Sequence, residues 1–354
     1  MGYSVPLLKD FIRDTENDNH KFEVVSLFAG GGGSSTGYRM AGGKVLAINE
    51  FIEEAQATYK ANYPSTHIFT QDIKKLTAED ILERINKKSG ELDLLDGSPP
   101  CSAFSTAGAR EKGWGKTKTY SDTTQENVED LFFDYIRILR GVKPKVFVAE
   151  NVAGMVKGKA KGYFNHILRE LKSSGYHVTC KVLDAKYLGI PQSRQRVIFV
   201  GIRDDIWRDE YTGKTHPKPA SHVVDLKEAF EGLTFTEKDK LETDLSRFAV
   251  YKLLLTLSAG EAHKKAFTLK KCSKYDVSFC ITANTGSLGA REIYHWNNRA
   301  FTINEVKRIM SVPDDYILTG TYQQQVERLG RMVAPLMMKA VADNLVELVF
   351  SDAN

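Results

Sequence analysis

Cysteine is scarce in this chain: there are four in 354 residues, Cys101, Cys180, Cys272 and Cys280. None stands at zinc-type pair spacing, so no metal site is expected. The N-terminus, MGYSVPLLKDF, lacks the charged start and apolar run of a secretory signal. The cysteines therefore read as reduced thiols in a cytoplasmic protein. No apolar run reaches membrane-spanning length, which argues against a membrane partner. There is no large excess of either charge. Lys+Arg 49 against Asp+Glu 45 leaves a formal +4, which permits a nucleic-acid partner without demanding one. Internal repeats and long low-complexity segments are absent too. What remains is an ordinary globular composition, long enough for a large core and two domains.

The stretch from Leu94 to Gly108, LLDGSPPCSAFSTAG, organises the rest. An apolar run, Leu92 to Leu95, ends in Asp-Gly-Ser-Pro-Pro, so a buried strand stops there and hands Cys101 to a loop. The prolines stiffen that loop. A cysteine on a rigid loop just past a strand is where a nucleophile is placed. A small buried hydrophobe is the competing reading, and this segment alone does not separate them.

Neighbouring segments do. Phe22 to Phe28 reads as a central strand, Gly30 to Gly33 follow, and Ser34 or Ser35 is expected to cap a helix through Met40. Strand, glycine loop and helix suit a nucleotide-like ligand, because backbone can approach it closely. A second strand, Lys44 to Ile48, ends at Asn49-Glu50, placing a carboxylate for ribose hydroxyls. Asp72 follows a third strand. Strands alternating with helices imply an open parallel sheet covered on both faces, with ligands at the carboxyl ends of its strands. The glycine loop, Glu50, Asp72 and Cys101 all fall at that edge.

The polar segment Ala109 to Thr119 carries Arg110, Lys112, Trp114 and Lys116, and reads as a lid suited to phosphates and stacked bases. A disordered surface loop is the competing reading. Val146 to Ala149 is a strand ending in Glu150-Asn151. A carboxyl so placed is expected to hold a proton, against the alternative of an ionised glutamate in a salt bridge. Arg194 and Arg196 alternate into the strand Val197 to Val200, as if to share one face and grip a base or phosphate. Beyond Arg203 the strand–helix rhythm is lost. A basic stretch, His263 to Lys274, and a Gly- and aromatic-containing one, Ile281 to Trp296, suggest a small irregular domain meeting an anionic partner. Thr302 and Glu305 have capping-box spacing, and Val333 to Val349 is an amphipathic helix expected to pack back on the first domain.

In order, FAGGGG, the glutamate of NEF, the Pro-Cys of SPPCSAF, ENV, QSRQR, RAFTINEVKRIMSVPDDY and LGRMVAP resemble the blocks of the cytosine carbon-5 DNA methyltransferases of bacterial or phage type. The resemblance runs from Phe22 to Leu348. It implies an α/β fold, a doubly wound, mostly parallel, Rossmann-like sheet of the class I S-adenosylmethionine-dependent methyltransferases. The expected division is a catalytic domain at 1–202, a target-recognition domain at 203–298 and a C-terminal return at 299–354. It further implies S-adenosyl-L-methionine as donor, double-stranded DNA as partner, a monomer, and a place in restriction-modification. By resemblance, Cys101 is the nucleophile, Glu150 contacts and protonates the flipped base, and Arg194 and Arg196 anchor it. Phe28, Gly30, Gly32, Glu50, Asp72, Ile73, Pro99 and Val333 fall to the cofactor. Ser102, Arg110, Lys112, Trp114, Lys116, Thr282 and Asn284 fall to DNA.

Two positions depart from the family's pattern. Ser102 stands where glutamine is usual, and Arg331 where asparagine is usual, near the cofactor's reactive end. Like charges ~4 Å apart repel by about 1 kcal/mol in water and ~4 kcal/mol at an effective dielectric near 20. An inward Arg331 thus disfavours the sulfonium unless an anion intervenes, as carboxy-S-adenosyl-L-methionine would supply; that donor would give 5-carboxymethylcytosine. Otherwise Arg331 turns outward, to Glu327 or a phosphate. The rivals are an RNA-methylating relative, which the missing Cys-Phe-Thr signature disfavours, a catalytically silent DNA-binding homologue, and a generic dehydrogenase.

Overall fold

The computed structural model describes residues 2–16, 19–100, 118–119, 124–125, 131–157 and 160–351. Along the chain the elements begin with α1 (Leu8–Glu16), β1 (Phe22–Leu27), α2 (Gly33–Met40), β2 (Gly43–Asn49), α3 (Glu53–Asn62), β3 (His67–Phe69), α4 (Ala78–Arg84) and β4 (Leu94–Gly97). The two-residue strands β5 (Lys118–Thr119) and β6 (Thr124–Gln125) pair with each other. Then come α5 (Leu131–Val142), β7 (Val146–Val152), α6 (Lys161–Lys172), β8 (Tyr176–Asp184) and β9 (Gln195–Arg203). The chain divides into two compact units, 11–183 with 195–218 and 338–354, and 1–10 with 184–194 and 219–337.

The first unit is built on a seven-stranded sheet of order β3-β2-β1-β4-β7-β9-β8. Neighbours from β3 through β7 are parallel, and β9 runs antiparallel to β7. This is the mostly parallel α/β sheet expected from the alternation of elements. Register fixes the faces. Val25, Leu27, Leu95, Phe147 and Ala149 face α4, α5 and α6, where α5 supplies Leu131, Phe132, Tyr135, Ile136 and Leu139 at helical spacing. A Cβ on Gly97 would lie 2.5 Å from the Tyr135 ring, so glycine there lets α5 come close. Tyr135 uses the approach to donate to the Leu95 and Val148 carbonyls.

On the other face Ser26, Asp96 and Val148 stand in one row, met by Tyr38 of α2. The C-terminal helix α12 (Pro335–Leu345) brings Met338 to the Tyr38 hydroxyl, and Phe350 beyond it stacks on Phe22. From Met338 onward the chain belongs to the same unit as the sheet. The serine cap expected for α2 does not form. Its N-cap is Gly32, at φ 91, and Ser34 and Ser35 are buried inside the helix. A left-handed glycine turns the chain into the helix without needing a hydroxyl.

The second unit holds the remaining helices, α7 (Leu226–Ala229), α8 (Glu237–Thr243), α9 (Ala249–Leu254), α10 (Ile303–Ile309) and α11 (Tyr322–Arg331), and the short pair β10 (Lys270–Lys271) and β11 (Ile293–Tyr294). Its small core joins Leu245, Val250, Leu254, Ala266, Leu269, Tyr294 and Ala300. The expected capping box is present: Glu305 donates its amide to Thr302 Oγ1 at 3.1 Å and accepts from the Thr302 amide at 2.8 Å. The boundaries of the units differ from the three segments expected. Residues 299–337 group with 219–298, because α10 and α11 are held there by Arg308 on the Ala229 carbonyl and Arg194 on the carbonyls of Gly330 and Met332.

Candidate active site

The carboxyl ends of β1, β2, β4 and β7 meet at one edge of the sheet. At β1 the chain enters a tight loop in which Phe28, Gly30 and Gly32 all have positive φ. A Cβ built on Gly30 meets nothing within 4 Å, so the loop's outer side is open. Glu50 lies across it. Its two carboxylate oxygens accept the Gly30 amide at 2.6 Å and the Ile52 amide at 2.7 Å, while Gln56 holds its carbonyl. These hydrogen bonds orient the Glu50 carboxylate, an acceptor of the kind that binds a diol. Asp72 begins the turn after β3 and accepts the Lys74 amide. Ile73 is buried in the core, its carbonyl taken by Arg137. The residues present fit a nucleoside: an open glycine loop, an oriented acidic acceptor and Asp72 along one edge.

Glu150 is delivered by β7 and Arg196 by β9. In the antiparallel register Glu150 opposes Ile198 and Val152 opposes Arg196, so the two side chains are diagonal neighbours on one face. Arg196 Nε lies 2.7 Å from Glu150 Oε1, and both are mostly buried. This is the salt-bridged geometry weighed against a lone protonated carboxyl. Next to Glu150, Asn151 donates to the Pro99 carbonyl at 3.1 Å. That bond ties the end of β7 to the proline pair leading into Cys101. Cys101, Ser102, Arg110, Lys112, Trp114 and Lys116 lie outside the described residues.

Arg194 and Arg196 do not share a destination. The strand starts only at Gln195, so the alternation assumed for the pair begins one residue too late. Arg194 is buried and donates to the carbonyls of Ile281, Gly330 and Met332 at 2.9, 3.2 and 2.8 Å. Gln192, with no exposed surface, accepts the Ile281 amide and donates to the Ile309 carbonyl. Sequence reading passed it over; its only signal was a glutamine between a proline turn and an arginine.

Arg331 pairs with Glu327 one helical turn earlier, through Nε at 2.9 Å and a second nitrogen at 2.8 Å. Val333 is buried. Thr282 and Asn284 lie in a turn closed by Thr285, and the Thr282 carbonyl packs against Gly330. In the basic stretch, Phe267 is 76% exposed at the tip of a turn whose Ala266 and Leu269 are core residues. Lys274 lies over the ring of the exposed Tyr275.

The sequence reading also missed Asp96. It is fully buried, accepts from Ser26 Oγ at 2.6 Å and from the Tyr38 hydroxyl at 2.9 Å, and has no ion-pair partner among the described residues. Burial raises its carboxyl to about 7; the hydroxyl hydrogen bonds oppose that rise and the charge of Glu150 adds to it.

Comparison with known proteins gives concordant matches. The family model for C-5 cytosine-specific DNA methylase matches residues 22–347. The Type II methyltransferase M1.HphI of Haemophilus parahaemolyticus is 29% identical over 344 residues, 92% of this chain and 86% of its own. The Type II methyltransferase M.NgoPII of Neisseria gonorrhoeae is 39% identical over 184 residues, 52% of this chain and 49% of its own. Among solved structures, a DNA modification methyltransferase encoded within a prophage of E. coli has the same fold, with a TM-score of 0.73 at 22% identity, covering 93% of this chain and 99% of that one.

Proposed function

Because the chain belongs to the C-5 cytosine-specific DNA methylase family, we propose that it alkylates carbon 5 of a cytosine flipped out of double-stranded DNA, through a covalent adduct on Cys101. Carbon 5 of cytosine is too poor a nucleophile to react unaided. The Cys101 thiolate adds to carbon 6, and a proton from Glu150 reaches the ring nitrogen, so that an enamine forms. S-Adenosyl-L-methionine, when bound, supplies an electrophilic methyl group. Loss of the carbon-5 proton then re-forms the double bond and expels the thiolate. Arg196 holds the Glu150 carboxyl in place. Glu50 and the Phe28, Gly30, Gly32 loop hold the nucleoside part of the donor, with Asp72, Ile73 and Pro99 beside it. Extruding the base costs roughly a few kcal/mol, which contacts from Ser102, Arg110, Lys112, Trp114 and Lys116 would offset.

The observation that carries the reading is the Arg196–Glu150 pair, set at the strand edge beside Asn151 on the Pro99 carbonyl. Residues 203–298, including Thr282 and Asn284, are assigned to target recognition, with Phe267 and its lysines facing DNA. Among the described residues no helix is long and apolar enough to cross a membrane. We assign the protein to the cytoplasm as a monomer.

Carboxymethyl transfer from carboxy-S-adenosyl-L-methionine is the second reading. It rests on Arg331 and requires that side chain to leave Glu327. One experiment separates the readings: mass spectrometry of nucleosides from DNA of cells expressing the protein, with and without the carboxylated donor, beside Cys101→Ala. The expected product is 5-methylcytosine, absent in Cys101→Ala. A 5-carboxymethylcytosine signal confined to donor-making cells would favour the second reading. No modified cytosine from a folded protein would favour a silent DNA-binding homologue.

A further inference from the structure

Residues from Ala262 to Tyr275 carry five lysines and no acidic residue. A lone exposed apolar side chain is ordinary on a soluble surface, but the setting of Phe267 within that stretch is not. The Leu269 amide donates to the Ala266 carbonyl at 2.8 Å, which closes a four-residue turn with Phe267 and Thr268 at its centre. Glycine, proline, asparagine, aspartate and serine are the usual occupants of such positions. Here a phenylalanine stands at the tip, with three quarters of its surface exposed.

The turn is pinned at both ends. Ala266 and Leu269, its first and last residues, are buried in the small core with Val250, Leu254 and Tyr294. The His263 amide donates to the Leu269 carbonyl at 2.8 Å. His263 Nδ1 accepts the Ala266 amide at 3.0 Å and the Lys265 amide at 3.3 Å. Ala262 and Lys270 form an antiparallel bridge at the base, and Lys270 and Lys271 continue as β10 beside β11. With its neighbours fixed inward, the Phe267 ring is held outward on a short, hydrogen-bonded base.

The lysines sort in the same way. Lys271 turns in to the Leu257 carbonyl, and Lys270 lies over the Phe279 ring. Lys264 and Lys265, just before the turn, are exposed. Tyr275, the other exposed aromatic of the stretch, has the Lys274 ammonium over its ring, 4.8 Å from the centroid. A single ring is a weak anchor in a bilayer. Beside two outward lysines it suits a polyanion whose interior is a stack of aromatic faces.

We propose that Phe267 is an intercalating wedge: its ring enters the stack between two adjacent base pairs of duplex DNA, while Lys264 and Lys265 hold phosphates beside it. This rests on the reading of residues 203–298 as the target-recognition region. Apolar wedges unstack a base step and kink the duplex. Unstacking costs least at pyrimidine–purine steps, so the wedge adds selectivity for such a step without a hydrogen bond to a base.

The test compares wild type with Phe267→Ala, Phe267→Trp and a double variant, Lys264→Ala with Lys265→Ala. Phe267 lies outside the core, so its variants keep the wild-type fold. Three quantities are read: Kd for plasmid DNA against salt, the linking number left in closed-circular plasmid relaxed by topoisomerase I at saturating protein, and kcat for tritium transfer from labelled S-adenosylmethionine. Phe267→Ala is expected to raise Kd about tenfold to a hundredfold with an unchanged salt slope, and Phe267→Trp to restore it. Phe267→Ala also loses most of the unwinding and keeps kcat. The lysine variant lowers the salt slope by about 2. Unwinding by Phe267→Ala equal to wild type overturns the wedge. A kcat that falls in step with the unwinding places the ring at the extruded base instead, and overturns it too. An unchanged Kd and salt slope in the lysine variant show that this turn does not meet DNA, and overturn the underlying reading together with the wedge. Binding to phosphatidylglycerol vesicles that Phe267→Ala loses, with plasmid affinity intact, assigns the turn to a membrane and likewise overturns the proposal.

Discussion

Arg194 and Arg196 are two residues apart and do different work. Arg196 holds one carboxylate, whereas Arg194 satisfies three backbone carbonyls. Their substitutions should therefore part company. Arg196→Ala is expected to lower kcat roughly 10²-fold with a small change in stability, as losing an oriented charged donor at a reacting centre does. Arg194→Ala should cost about 3 kcal/mol in urea unfolding, about 1 kcal/mol for each carbonyl left without its donor. Arg331→Asn loses the i, i+4 pair with Glu327, of a kind worth about 0.3–0.5 kcal/mol, and should leave turnover of S-adenosylmethionine intact. At this scale the residue types of the site were legible, because apolar runs that mark strands end at Glu50 and Glu150 and begin just after Arg196. The separate fate of Arg194 was not, since one residue of strand boundary decides it. Asp96 was hidden for a related reason: Asp-Gly before two prolines reads as turn chemistry, yet β4 runs on through Gly97 and turns the aspartate inward.

Between elements, two glycines show contrasting constraints. Gly330 in α11 has no room: a Cβ would fall 2.2 Å from the Thr282 carbonyl oxygen. Gly330→Ala must push α11 off the Thr282 turn, and a loss of about 2 kcal/mol is expected, read as a lowered Tm. Gly30 has space but a left-handed backbone, φ 56. Gly30→Ala should cost only about 1 kcal/mol of stability and show its larger effect as a raised KM for S-adenosylmethionine. The strands of the sheet were readable from apolar runs bounded by polar residues. The start of α2 was misread because Gly32 and the serines both suit a helix start, and only backbone geometry tells them apart.

Over the whole molecule, Asp96 makes stability depend on pH. Its carboxyl titrates near 7 when folded and near 3.8 as a free group. Between those values the folded chain holds a proton that the unfolded chain has lost. Stability is therefore greatest below the lower value, falls as pH rises from about 4 to 7, and is flat above. The loss is about 4 kcal/mol at most, from about 1.4 kcal/mol per unit. Urea unfolding at intervals across that range should show the slope in wild type and a shallower one in Asp96→Asn. The grouping of residues 299–337 with 219–298 was illegible in sequence, because the α10 and α11 patterns record only that a face is buried, not what covers it.

That grouping has a consequence for anyone building chimaeras. The unit holding 219–337 is not one contiguous cassette. Tyr3 donates to the Arg308 carbonyl, the Leu8 and Lys9 amides bind Asp315, and Gln192 and Arg194 clamp Ile281. A graft that moves 219–337 alone would strand these partners on the wrong parent. A transplant carrying 1–10 and 184–194 along with it travels with its own fastenings.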